Sequence, residues 1–266
     1  MAYGQGDAEA GEYLAKVAGC RGCHTDLAAG STPYAGGRVL DTAFGKFYGP
    51  NITPHAQEGI GRWSEQDFYR AMREGVRPDG AHYFPAFPYP SFTLVVDRDL
   101  SDLWAYLRSL SPNARPNQPH ELRFPFGWRR LIWGWKLLFF APGPFRVDSR
   151  SSAALNRGAY LTHALGHCGE CHTPRNFLGG WKKDRALAGG KLAEGRAPNL
   201  TPKRLKEWND GELKEFLRTG ATPEGDATSD VMYEVVRNTT SQLTPQDLDA
   251  LIAYLRSLPP LPDEPK

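Results

Sequence analysis

The chain has 266 residues, a formal net charge of +2 at pH 7, and 40% hydrophobic against 23% charged residues. That length accommodates two ordinary domains, and so small a net charge gives no footprint for nucleic acid or an anionic membrane as partner. No run of 18 apolar residues occurs, so no transmembrane helix is expected.

In chain order, the first ten residues are small and polar, without the basic start and apolar stretch of a secretory signal. A helix through Gly11-Glu12-Tyr13-Leu14 then runs into Cys20-Arg21-Gly22-Cys23-His24. This C-x-x-C-H run is the attachment signature of c-type haem: two thiols form thioethers to the haem edge and the adjacent histidine supplies an axial nitrogen. A loop comes next, with the turn Pro50-Asn51-Ile52-Thr53-Pro54. Ser64-Glu65-Gln66-Asp67 resembles a capping box opening a second helix. A last helix closes on Ala105-Tyr106-Leu107-Arg108-Ser109-Leu110 and stops at Pro112.

The same order then repeats. Gly158-Ala159-Tyr160-Leu161 leads into Cys168-Gly169-Glu170-Cys171-His172, 148 residues after the first motif. Pro198-Asn199-Leu200-Thr201-Pro202 answers the first turn, a helix begins near Asn209, and a last helix starts at Thr244 with Pro245 and Asp247 in its first turn. Leu248, Leu251, Ile252 and Leu255 form one apolar stripe, and Pro259 and Pro260 end the helix. A shared offset over about 100 residues means a duplicated domain. No strand-like alternation of any length is seen, so an all-α architecture is expected: a first domain over residues 1–112, a linker over 113–150 and a second domain over 151–266.

The two motifs use all four cysteines. Structural zinc sites gather two close Cys pairs on one metal, and thioredoxin-like pairs sit at a strand-to-helix junction. Neither pattern is present, so two covalently bound haem c groups are expected, with His24 and His172 as proximal ligands. In the second copy the distal candidate is Met232, 22 residues before Tyr254, its thioether raising the potential. The same count back from Tyr106 lands on Phe84. His82, after Pro78-Asp79-Gly80, is the expected substitute, giving His24/His82 at haem one and His172/Met232 at haem two. His55 is the weaker rival, and an open haem one the third option. Met72 is expected in the core of the second helix. Asn51 and Asn199, with Arg38 and Arg196 upstream, are candidate partners of haem propionates, or simply turn formers. Trp63 and Trp208 are expected to pack on the rings or the core. His163 and His167 read as solvated or packed at the haem edge, and His120 has no evident role.

The linker carries Phe124, Phe126, Trp128, Leu131, Ile132, Trp133, Trp135, Leu137, Leu138, Phe139 and Phe140. It reads either as a docking surface for a membrane or a protein, or as a strap packed across both haem domains. The strap is preferred here, because Arg129, Arg130 and Lys136 break a stretch already too short to span.

The phrases Pro50-Asn51-Ile52-Thr53-Pro54, Gly59-Ile60-Gly61-Arg62-Trp63-Ser64, Tyr83-Phe84-Pro85-Ala86-Phe87-Pro88-Tyr89 and Gly166-His167-Cys168-Gly169-Glu170-Cys171-His172-Thr173-Pro174-Arg175-Asn176 resemble the bacterial dihaem cytochromes c. They are similar to the cytochrome subunits of periplasmic alcohol, gluconate-type and aldehyde dehydrogenases. The resemblance covers almost the whole chain and implies two tandem class I cytochrome c domains. Those subunits often carry a distal methionine where Phe87 stands here. Covalent haem is attached outside the bacterial inner membrane, so a signal peptide removed from a precursor and a periplasmic location are expected. The implied function is electron transfer from a periplasmic dehydrogenase to a small cytochrome or terminal oxidase, without substrate chemistry of its own. The alternatives are a haem enzyme, thiosulfate dehydrogenase-like or peroxidase-like, and a gas-binding module, each using an open or unusual haem one.

Overall fold

The computed structural model describes residues 5–193, 195–228 and 230–263. The chain divides into two compact units, Met1–Pro144 and Phe145–Lys266.

In the first unit, α1 (Ala8–Val17) is capped by the Asp7 carboxylate on the N–H groups of Glu9 and Ala10. Gly19, at φ 64°, turns the chain sharply into α2 (Cys20–His24), a left-handed step that a Cβ would oppose. A hairpin comes next, β1 (Val39–Thr42) against β2 (Gly45–Tyr48), with Val39 opposite Tyr48. Then come α3 (Glu65–Glu74), the short α4 (Tyr89–Phe92) and α5 (Asp97–Ser109). The expected capping box is present: Ser64 Oγ accepts the Asp67 N–H while Asp67 accepts the Ser64 N–H. Helices α1 and α5 cross with bare backbone in contact. A Cβ on Gly11 would lie 1.9 Å from the Asp102 carbonyl oxygen, which is why glycine stands there. The crossing buries Leu14, Val17, Leu100, Leu103 and Leu107, each side chain worth about 1.5–3 kcal/mol of burial.

The second unit repeats this plan. Helix α7 (Ala153–Tyr160) continues through a π-type turn, Leu161–Leu165, into α8 (Gly169–His172). Helices α9 (Pro202–Leu205), α10 (Asp210–Thr219), α11 (Asp230–Asn238) and α12 (Pro245–Ser257) complete it. Asn209 and Glu212 form the second capping box. Gly158 meets α12 as Gly11 meets α5, a Cβ there falling 2.0 Å from the Ala250 carbonyl oxygen. All four residues of the predicted α12 stripe are buried.

Two expectations need correction. The units are mostly helical but not purely so. Besides β1 and β2 there are β3 (Glu121–Leu122), which extends the hairpin, and a second pair, β4 (Gly190–Lys191) with β5 (Arg196–Ala197). Strands of two to four residues are too short for alternation to register. Nor is the segment after Pro112 a bare strap. Asn117 Oδ1 accepts the Asn51 N–H, Tyr48 Oη donates to Glu121, and helix α6 (Arg129–Phe139) is fixed to the first unit by Lys136. The segment belongs to the first unit as far as Pro144.

Candidate haem sites

Each C-x-x-C-H run sits at the end of the first helix of its unit, with the histidine closing a single turn. The two histidines meet the same partner. His24 Nδ1 lies 2.7 Å from the Pro50 carbonyl oxygen, and His172 Nδ1 2.7 Å from that of Pro198. A carbonyl oxygen only accepts, so Nδ1 carries the proton and Nε2 keeps its lone pair. This is the tautomer an axial iron ligand needs, fixed by a second partner on the ring. Burial holds both imidazoles below their ordinary pKa, against the pull of the proline carbonyls, and so favours the neutral form. Burial pushes the Cys20 and Cys168 thiols up to about 12, the opposite of a low-pKa redox pair.

The chain passing behind each histidine is built twice. Gly36 N–H donates to the His24 carbonyl at 2.8 Å, and Gly189 N–H to that of His172 at 2.9 Å. Two residues earlier stand Tyr34 and Leu187, at φ 64° and 62°, a left-handed backbone that bulky side chains rarely adopt. Each is pinned: Thr25 and Thr173, next after the histidines, accept the Tyr34 and Leu187 N–H groups through Oγ1. The Tyr34 and Leu187 carbonyls take the N–H of Ile52 and Leu200. Gly49 and Gly190 admit the Cys23 and Cys171 carbonyls, a Cβ falling 1.8 and 2.2 Å from those oxygens. Sequence reading missed these residues, although their signal was present as a second repeat, Tyr34-Ala35-Gly36-Gly37 and Leu187-Ala188-Gly189-Gly190.

Asn51 and Asn199 are held to the chain that follows the last helix of each unit. Both N–H groups of the Asn51 amide reach backbone carbonyls, Asn113 at 2.8 Å and Arg115 at 3.1 Å, and its Oδ1 accepts from Thr53. Asn199 donates to the Leu261 carbonyl and Asp263 and accepts the Thr201 N–H. Each amide ties the tail after the last helix to the turn that holds the proximal proline. Arg38 adjoins β1, its carbonyl accepting the Gly49 N–H, and Arg196 lies in β5. Trp208 packs edge-on against Phe216.

The residues expected on the distal side differ between the units. Met232 lies half-buried on α11, ahead of the last helix as expected. In the first unit Met72 is buried in α3. Phe84 is buried against Phe47, His120 and the Arg129 guanidinium, while Phe87 meets Tyr83, Tyr89 and Phe92. The three remaining imidazoles of this unit are all engaged as acceptors at Nδ1. His55 takes the Glu58 N–H at 3.1 Å and His120 the Tyr48 N–H at 3.2 Å. His82 faces the Lys136 ammonium at 2.9 Å, whose other protons go to the Glu74 and Gly75 carbonyls. A ring that accepts at Nδ1 carries its proton on Nε2 and has no lone pair there for iron. As folded here, His82 is a partner of Lys136. In the second unit His163 Nε2 lies 2.6 Å from the Tyr254 hydroxyl, a half-buried side-chain pair.

Paired thiols, a neutral histidine presented by a proline carbonyl, and a glycine-lined cradle, all occurring twice, define a protein with two covalently attached haems. The chain belongs to the cytochrome c family, whose model, described as cytochrome c, matches residues 8–111 and 156–259. It binds two haem c groups, through Cys20 and Cys23 and through Cys168 and Cys171. It is 44% identical over 259 residues to a dihaem cytochrome c-type protein of Cereibacter sphaeroides, covering 96% of this chain and 86% of that one. It is 37% identical to the cytochrome subunit of a fructose dehydrogenase from Gluconobacter japonicus, covering 94% of this chain and 52% of that one. It is 42% identical to one subunit of a nicotinate dehydrogenase from Pseudomonas putida, covering 94% of this chain but 21% of that one. No helix among the described residues is long and apolar enough to cross a membrane.

Proposed function

We propose that this cytochrome works in the periplasm, taking electrons from a dehydrogenase and passing them to a small cytochrome or a terminal oxidase, and transforms no substrate itself. The observation that carries the reading is the pair of proximal histidines, each held neutral by a proline carbonyl at 2.7 Å. The haems supply one-electron chemistry. The chain fixes each histidine so that little rearranges when charge arrives. The names of the fructose and nicotinate dehydrogenase relatives support a dehydrogenase as donor. His24 ligates haem one, and His172 with Met232 ligates haem two, the thioether setting haem two at the higher potential and making it the exit of the relay.

The test is anaerobic mixing of the oxidised holoprotein with a periplasmic dehydrogenase and its substrate, monitored by the haem absorbance, then addition of a small c-type cytochrome. Reduction that requires substrate, then passes on to the acceptor, is the expected result. Turnover of substrate by this chain alone would overturn the reading, as would haems that stay oxidised with every dehydrogenase of the relatives' kinds.

A further inference from the structure

Helix α6 carries apolar residues on both of its faces, one turned to the first unit and one exposed. Its buried residue is Lys136, 9% exposed, with the ammonium held by the Glu74 and Gly75 carbonyls and His82. Four of its apolar residues are exposed, Leu131 by 49%, Trp133 by 59%, Leu137 by 67% and Leu138 by 70%, while Ile132, Trp135 and Phe139 are half-buried beside Lys136. Just ahead of the helix, Phe124 and Trp128 form an edge-to-face pair, 79% and 59% exposed. At the helix start is an open cavity of about 420 Å³ lined by Ala81, His82, Arg129, Arg130 and Trp133. Arg129 is fixed there by its bond to the His82 carbonyl and by its seat over Phe84. The carboxylate it feels, Asp79, is itself held by Arg77 at 2.9 Å.

The net charge of +2 hides how one-sided this stretch is. Between Glu121 and Asp148 there is no carboxylate, yet Arg123, Arg129, Arg130, Lys136 and Arg146 all fall there. An exposed ridge of Trp, Phe and Leu bordered by arginines, with no acid among them, has the composition of a helix that lies in a membrane interface. Eleven residues rise only about 16 Å, roughly half a bilayer core of ~30 Å, so the helix lies flat and does not cross.

We propose that the outward face of α6 docks on an anionic phospholipid bilayer, Trp133, Leu137 and Leu138 entering the headgroup boundary while a lipid phosphate sits against Arg129 and Arg130. Lys136, with Ile132, Trp135 and Phe139 beside it, holds one face of the helix to the first unit and leaves the other exposed. The first unit would then ride on the membrane surface where membrane-bound donors and oxidases reside.

The test is flotation of the holoprotein with vesicles, read by haem absorbance. One set contains phosphatidylglycerol mixed into phosphatidylcholine, the other phosphatidylcholine alone. Co-flotation with the anionic vesicles and little with the neutral ones is expected, weakening as salt rises. Leu137→Glu/Leu138→Glu should reduce partitioning about tenfold or more, and Arg130→Ala roughly fivefold, with native haem spectra in each. Inorganic phosphate at matched ionic strength should compete only weakly, because it offers nothing to the apolar ridge. The proposal is overturned by absence of flotation with anionic vesicles, by equal flotation with neutral ones, or by undiminished flotation of the double variant. Failure to float combined with loss of reduction by a dehydrogenase in the double variant would assign the face to a protein instead.

Discussion

The two units hold their proximal histidines identically and differ on the distal side. Behind His24 and His172 the thioether cysteines, the threonine, the left-handed residue, the glycines and the proline carbonyl all recur, with hydrogen bonds matching within about 0.1 Å. Ahead of them the second unit offers Met232 on α11, and the first offers an aromatic wall of Phe84 and Phe87 with every spare imidazole engaged elsewhere. Duplication preserved what attaches and orients a haem and released what sets its potential and access. Attachment tolerates no change, because the same chemistry must occur at both motifs. Distal ligation can drift, because each choice yields a working haem of different potential.

The largest test of that contrast removes its distinctive atom. Met232→Ala should lower the potential of haem two by about 100 mV or more, given how strongly axial ligands set haem potentials, and leave haem one where it was. A potentiometric titration reads both waves. If the wave that moves belongs to the haem carried by Cys20 and Cys23, or if neither moves, the ligand assignment is wrong.

A second test asks whether the first unit supplies any sixth ligand. With His55, His82 and His120 all accepting at Nδ1, the reduced protein should take up one CO per two haems, at haem one. His82→Ala should leave the spectrum of haem one unchanged. A spectral shift in that variant, with CO refused by the native protein, would mean that His82 leaves Lys136 for the iron.

How much of the molecule is legible in the sequence depends on the range of the interactions. The haem motifs, the caps at Ser64, Asn209 and Thr244 and the α12 stripe are local patterns within one or two helical turns, and all appear as expected. The partner that His82 has in the fold, Lys136, is 54 residues away, a pairing no local pattern announces. The apolar stretch after Gly127 suggests a strap for a related reason. A helix this apolar all round does not say in its sequence which face meets the core, and here Ile132, Trp135, Lys136 and Phe139 are the less exposed residues while Leu131, Trp133, Leu137 and Leu138 are exposed. Asn51 and Asn199 are ambiguous in sequence since an amide serves a propionate or a carbonyl equally well. The carbonyls of Asn113 and Leu261 that these amides meet in the fold are each 62 residues on, beyond any local pattern.

The smallest test concerns the one backbone step behind the cysteines where the units part. The residue before the first cysteine is left-handed in both, but it is Gly19 at φ 64° in the first unit and His167 at φ 38° in the second. Glycine adopts that conformation freely, while an L side chain crowds the next carbonyl at about 1–2 kcal/mol. Gly19→Ala should therefore destabilise the first unit by about 1 kcal/mol, seen as an earlier loss of the haem-one signal in denaturant. His167→Gly should cost less than Gly19→Ala, because relief of backbone strain offsets the greater freedom of glycine in the unfolded chain, about 0.5–1 kcal/mol, and part of what the imidazole's own contacts contribute. Equal losses from both would mean that the two turns carry no difference in strain. A large loss from His167→Gly alone would mean that the imidazole does structural work in the second unit that glycine never did in the first.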